Sequence, residues 1–214
     1  MVFSTGGELW RPEQHIIEVA VTFDQLQRAL DREAFMREQI IKWHGKEHLN
    51  NSIKSGYGVF TGLLGEEIIH DFWNTSWQRS TGEDIYHWDL RHPVLGTIDI
   101  KTKLQTYDEM PKGFYNCTVC EANTNQRCNW YGFVRVHANC ERAWILGFLP
   151  KRYFLENASK DKKGDIDPTS HNDWRYKWDC RNLPISRTLA APRTVAAFAK
   201  LQEAGKALSC VSSM

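Results

Sequence analysis

The chain carries no surplus of charge of either sign, with 27 Lys and Arg against 26 Asp and Glu. Bulk electrostatics therefore does not mark it as a nucleic-acid or membrane-surface binder, although an acidic site would offset basic residues elsewhere. No apolar run approaches the ~20 residues needed to span a bilayer, so no membrane partner is expected. The N-terminus lacks the pattern of a secretory signal. Six cysteines in 214 residues are too few for a disulfide scaffold. The expectation is a cytoplasmic protein with free thiols. No repeat, low-complexity tract or single-sign run points to disorder.

What is present suits one folded unit. The composition is 42% hydrophobic with nine tryptophans to pack, and a chain of this size buries roughly 70% of its unfolded surface. A single domain over 1–214 is expected. It would have a helical N-terminal part (1–57), a core (58–158), and a loop with a C-terminal helix (159–214).

Residues 15–21 read as a short strand. Thr22 and Gln25 form a capping box, followed by Phe23, Leu26, Leu30 and Ala34 at helical spacing. A second helical stretch carries Phe35, Ile40 and Ile41. Residues 59–73 are helical again, with Leu63, Leu64, Ile68, Ile69 and Phe72 as the apolar stripe. The period then changes to two over 84–90 and 95–104, and Pro93 between them favours a turn, so a hairpin is expected. Further strands are expected at 114–122, 130–137 and 143–149, a short helix at 153–158, a polar loop over 159–172 and a closing helix at 193–208. Helices, then strands, then helices predict an α/β or α+β domain around one mixed sheet.

On the second hairpin strand, Ile98 and Ile100 point to one face, and Thr97, Asp99, Lys101 and Lys103 to the other. A turn near Pro93 puts Asp89 opposite residue 97 or 98, one step from Asp99. Two carboxylates about 4 Å apart repel by roughly 4 kcal/mol at an effective dielectric near 20. Such a pair calls for a cation or a shared proton. Hard carboxylate oxygens suit Mg²⁺, with Mn²⁺ able to substitute, and the Ile100 backbone carbonyl is a further potential ligand. Lys101 would steady a metal-bound water and neutralise charge on a phosphorus transition state.

The order of these pieces carries more than any one of them. A helix bearing Gly62-Leu63-Leu64-Gly65-Glu66 is followed by Asp89, then by a hydrophobic strand ending in Asp99-Ile100-Lys101. This resembles the PD-(D/E)XK nuclease superfamily, with Trp88 standing where a proline would precede the first aspartate. The resemblance covers Gly62 to Lys101. It implies a restriction-endonuclease-like fold, a mixed sheet flanked by helices, and Mg²⁺-dependent hydrolysis of DNA phosphodiesters. Carried across, Asp89 and Asp99 hold the metal, Lys101 assists the nucleophile, and Glu66 reaches the metal or its water. Glu67 stays an alternative, since adjacent helical residues point about 100° apart.

The compact chain, with no separate recognition domain, suggests a small phage or bacterial endonuclease, and a homodimer would suit cutting of two strands. Lys46, Lys54, Arg79, Lys103 and Arg135 are the expected phosphate contacts. An alternative is a catalytically inactive module of the same fold that binds nucleic acid or protein. His44, Glu47 and His48 fit the H-x-x-E-H spacing of a zinc peptidase, but Gly45 weakens the helix that spacing needs and no third ligand stands out. Cys117, Cys120, Cys128 and Cys140 lack the second close pair of a zinc ribbon and read as buried thiols.

Overall fold

A computed structural model of the chain describes residues 16–44, 57–73, 78–81, 84, 86–92, 96–169 and 173–188. Among them, a six-stranded mixed sheet runs in the order β1-β7-β6-β4-β3-β2. Its strands are β1 (Ile17–Ala20), β2 (Gln78–Arg79), β3 (Leu90–His92), β4 (Gly96–Gln105), β6 (Trp130–His137) and β7 (Arg142–Pro150). Only β4 and β6 pair in parallel. Their connection carries β5 (Asn116–Cys120) into a second, antiparallel sheet with β9 (Cys180–Pro184) and β8 (Ser159–Asp161), in the order β5-β9-β8. The architecture is mixed α/β. No helix among the described residues is long and apolar enough to cross a membrane.

Two helices, α1 (Phe23–His44) and α2 (Tyr57–Trp73), cover one face of the main sheet. Leu63, Leu64, Ile68 and Ile69 of α2 pack there against Leu90, Ile98, Ile100, Val134 and Ile145. A Cβ on Gly65 would overlap Thr102 Oγ1 and lie 2.9–3.0 Å from its other side-chain atoms. The bare Gly65 backbone thus lets α2 settle directly onto β4. The opposite face packs Tyr131, Phe133, Trp144 and Leu149 against Cys117, Val119, Leu183 and Phe154. Phe154 belongs to a short helix, α3 (Lys151–Asn157). The expected mixed sheet with flanking helices is present, and on the second face the small sheet joins the short helix in covering it.

The Thr22–Gln25 box forms as expected, with Thr22 N–H donating to Gln25 Oε1 (2.9 Å) and Gln25 N–H to Thr22 Oγ (3.2 Å). The helix it starts differs from expectation in two ways. It is continuous to His44, and its inward residues are Gln25, Ala29 and a pair of arginines, whereas Phe23 and Leu30 are exposed. The reason lies on α2. Glu67, fully buried, accepts from Arg28 Nε (2.7 Å), Arg32 Nη1 (2.9 Å) and Arg79 Nη2 (2.5 Å). A buried carboxylate needs such partners, and the helix turns its guanidiniums inward to supply them.

The hairpin also departs from expectation. Asp84 and Tyr86–Trp88 are not in a strand: the His87 and Trp88 N–H groups both turn back to the Asp84 carbonyl (2.8 and 3.2 Å). Ser159–Asp161 and Cys180–Pro184, expected as loop or not assigned, are strands of the second sheet. The helix expected at 193–208 lies outside the described residues.

Replacing Glu67 by Gln removes the charge three arginines share. It should cost ~2–3 kcal/mol in urea unfolding, less than for a fully buried pair because each arginine keeps some water. Gly65→Ala should cost ~1–3 kcal/mol by overpacking, and Thr102→Ala should recover part of that loss in the double variant.

Candidate active site

Asp89 closes the N-terminal end of β3. Its N–H donates to the Ile98 carbonyl (2.9 Å) and its carbonyl accepts from Ser80 N–H (3.0 Å). Leu90 pairs with Ile98, so continuing the register one step sets Asp89 opposite Asp99. The carboxylate takes a further bond, from Ile100 N–H to Asp89 Oδ2 (2.6 Å). In an extended strand the N–H and C=O of one residue leave on the same side. The Ile100 carbonyl is thus directed to the edge where Asp89 sits.

Asp99 is 2% exposed. Lys101 Nζ lies 2.6 Å from its Oδ2, a buried ion pair. Lys101 Nζ also donates to Gln126 Oε1 (2.9 Å) and stands 6.0 Å from the Tyr131 ring centre. Lys151, whose Nζ donates to the Gln126 carbonyl, adds a second positive charge near Asp99.

From α2, Glu66 turns toward this edge and pairs with Arg32 Nη2 (2.6 Å). Glu66 and Asp89 both line a cavity of about 640 Å³ between α1, α2 and the Ser80–Asp89 region. Asp99 and Lys101 do not line it. Lys101 lies toward the second sheet, beside Lys103, Cys117 and Thr118. Glu67 is committed to its three arginines, which separates the two glutamates: Glu66 faces the cavity and Glu67 does not.

The carboxyl groups feel one another. Burial, followed by the charges of Glu66 and Asp99, raises Asp89 well above the usual carboxylate range against the opposing Ile100 N–H and Lys101. Burial also raises Asp99, opposed by Lys101 and a hydrogen bond with Asp89. Glu66 is raised by burial, with Arg32 opposing and Asp99 and Glu67 adding to the rise.

No protein-family model matches the chain, and no curated protein does. The site is read on its own geometry.

Among the described residues no three His, Cys, Asp or Glu side chains form a ready metal cage. Mg²⁺ does not require one, since it keeps several waters and is held through one or two carboxylates together with substrate phosphate. Two adjacent buried carboxyls that raise each other's proton affinity are a hard-oxygen donor set that fits such an ion.

Other expected contacts change. Lys103 is largely buried between the sheets, and burial with the neighbouring Arg135 charge lowers its pKa to about 8. Arg135 is 8% exposed, donates to Tyr107 OH (3.1 Å) and lies over the Tyr115 ring. Arg79 is held by Glu67. Their charges serve the interior, so the expected phosphate contacts at these three residues are withdrawn. Lys46 and Lys54 lie outside the described residues, as do Glu47 and His48. Cys117, Cys128 and Cys180 are buried free thiols, while Cys120 and Cys140 are partly exposed.

Sequence reasoning missed Gln126 and Arg32. Nothing local ties Gln126 to Lys101; only the parallel β4–β6 pairing brings them together. Arg32 did leave a trace, as the basic i, i+4 pair Arg28 and Arg32 on one helical face.

The sign of the pH effect follows from the raised carboxyls. The folded chain holds more protons than the unfolded one between the ordinary carboxylate range and the raised values, so these groups make metal-free stability fall as pH rises through that window. Asp89→Asn should stabilise the metal-free protein at pH 7 and change it little at pH 4. Thermal melts of both proteins in EDTA across this range measure the difference. A constant difference would show that the cluster is not held in repulsion.

Proposed function

We propose that the chain is a Mg²⁺-dependent DNA endonuclease with a restriction-endonuclease-like site of the PD-(D/E)XK type. The observation that carries this reading is the meeting of Asp89 and Asp99 at one strand edge, with Lys101 paired to Asp99 and Glu66 entering from the helix. Asp89, Asp99 and the Ile100 carbonyl would hold the ion, with Glu66 close to it. Bound Mg²⁺ would supply Lewis acidity toward the phosphate and a more acidic water.

The remaining chemistry belongs to the chain. Ile100 N–H fixes the Asp89 carboxylate, leaving its second oxygen for a ligand. Gln126 and Asp99 hold the Lys101 ammonium, with its side chain 15% exposed. That ammonium is suited to neutralise charge building on a phosphoryl oxygen in the transition state. Arg32 keeps Glu66 extended toward the cavity and compensates its charge. Burial of all these groups strengthens each electrostatic interaction relative to water.

Linear, covalently closed and branched DNA, incubated with Mg²⁺ and then with EDTA, should be cut only in the presence of the ion. Asp99→Asn and Lys101→Met should each lower the rate by ~10²-fold or more while far-UV circular dichroism stays unchanged. Cutting that survives either substitution in a folded protein would overturn the assignment. DNA binding without any cutting would favour a non-catalytic module.

A further inference from the structure

The cavity that Glu66 and Asp89 help to line is larger than a phosphodiester alone requires. Phe35 and Tyr86 line it while keeping 61% and 56% of their surface exposed, so their rings are open to a ligand. Met36 and Val59 add apolar wall. Gly62 adds backbone only, and a Cβ built there meets nothing within 4 Å. Thus the same cavity is lined by a bare stretch of α2, by two aromatic rings and by the carboxylates of Glu66 and Asp89.

A volume of about 640 Å³ lies in the range of sites for single small ligands. It is the size for a nucleotide, and its volume is too small to enclose a double helix. A base enters such a pocket only after leaving its stack and its pairing partner. Aromatic rings then hold it by its π-face with little regard to which base it is. Apolar small molecules in general would use the rings and Gly62 equally well. They would gain nothing from the carboxylates that share this lining, whereas a nucleotide carries a phosphate that a divalent ion held by those carboxylates would attract.

We propose that this cavity receives an unstacked nucleobase, so that the strand presented to the carboxylate edge is unpaired: single-stranded DNA, a frayed end or a branch. The proposal rests on the hydrolytic reading of the same site and adds its substrate class.

The test measures binding and cutting separately on the full chain. A fluorescein-labelled single-stranded dA hexanucleotide and a duplex hairpin of similar length are titrated in Ca²⁺, with anisotropy as the readout. The single strand should bind ~10-fold more tightly, and Tyr86→Ala and Gly62→Leu should each remove roughly that factor, whereas Tyr86→Phe should retain it. Gly62→Leu fills open space in a helix, and its unchanged melting temperature serves as the folding control. In Mg²⁺, circular single-stranded DNA should be cut at least ~10-fold faster than covalently closed duplex. Equal binding of single strand and duplex, or wild-type binding by both pocket variants, overturns the proposal whatever the cutting assay gives. Equal cutting of both circles, unaffected by Tyr86→Ala, overturns it while leaving hydrolysis intact. Single-strand binding that depends on Tyr86 without any cutting keeps the base pocket and removes the hydrolytic reading instead.

Discussion

The structure is organised around one buried negative charge. Glu67 has no access to water, and its two oxygens are shared among Arg28 and Arg32 of α1 and Arg79 of β2. An isolated carboxylate at that depth would be prohibitive, so the three guanidiniums fix the relative placement of two helices and the sheet edge. Arg79 pairs across to Leu90, the residue after Asp89. The helix pair is therefore tied, through one short strand, to the position of the first site carboxylate. With Glu67 turned into the interior, its neighbour must point elsewhere, and Glu66 reaches the cavity.

The central strand β4 divides two environments. Its even-numbered residues Ile98 and Ile100 sit in a dry core beneath the helices. Its odd-numbered residues enter a mixed layer in which Asp99, Lys101 and Lys103 lie among aromatic rings and thiols beneath the second sheet. Charged groups persist there because each has a partner: Asp99 has Lys101, Lys101 has Gln126, and Lys103 has the opposing field of Asp167. The low dielectric of that layer is what makes the site carboxyls so responsive to one another.

Much of this was legible in the sequence where local chemistry decides. The Thr22–Gln25 cap, the α2 stripe, and the alternation of β4 each follow from short-range periodicity, and the antiparallel pairing of β3 with β4 sets Asp89 opposite Asp99. What was not legible depended on distant partners. Phe23 and Leu30 looked like the inward face of α1 because apolar residues usually are, yet the charge on Glu67 drew the opposite face inward. The sequence over 84–88 alternates like a strand, yet the His87 and Trp88 N–H groups turn back to the Asp84 carbonyl. The second sheet joins segments far apart in the chain, each too short or too polar to announce itself. Arg79, Lys103 and Arg135 looked like surface cations because composition cannot distinguish a guanidinium facing DNA from one facing a tyrosine ring. The sequence pattern of the proposed site was clear, whereas its cavity, Gln126 and Arg32 emerged only from tertiary geometry.

The crossover between β4 and β6 has a kinetic corollary. Its strand β5 finds its hydrogen-bonding partner β9 only after β6, β7 and α3 have intervened, and β8 must return to the same place. Contacts of such sequence separation carry a large loop-closure entropy and form slowly. The layer roofing Asp99 and Lys101 thus rests on contacts distant in the chain, as does the pairing of Ile17 with Ile145 on the far side of the sheet. Without that roof Asp89 and Asp99 would be hydrated, and water would screen their mutual repulsion.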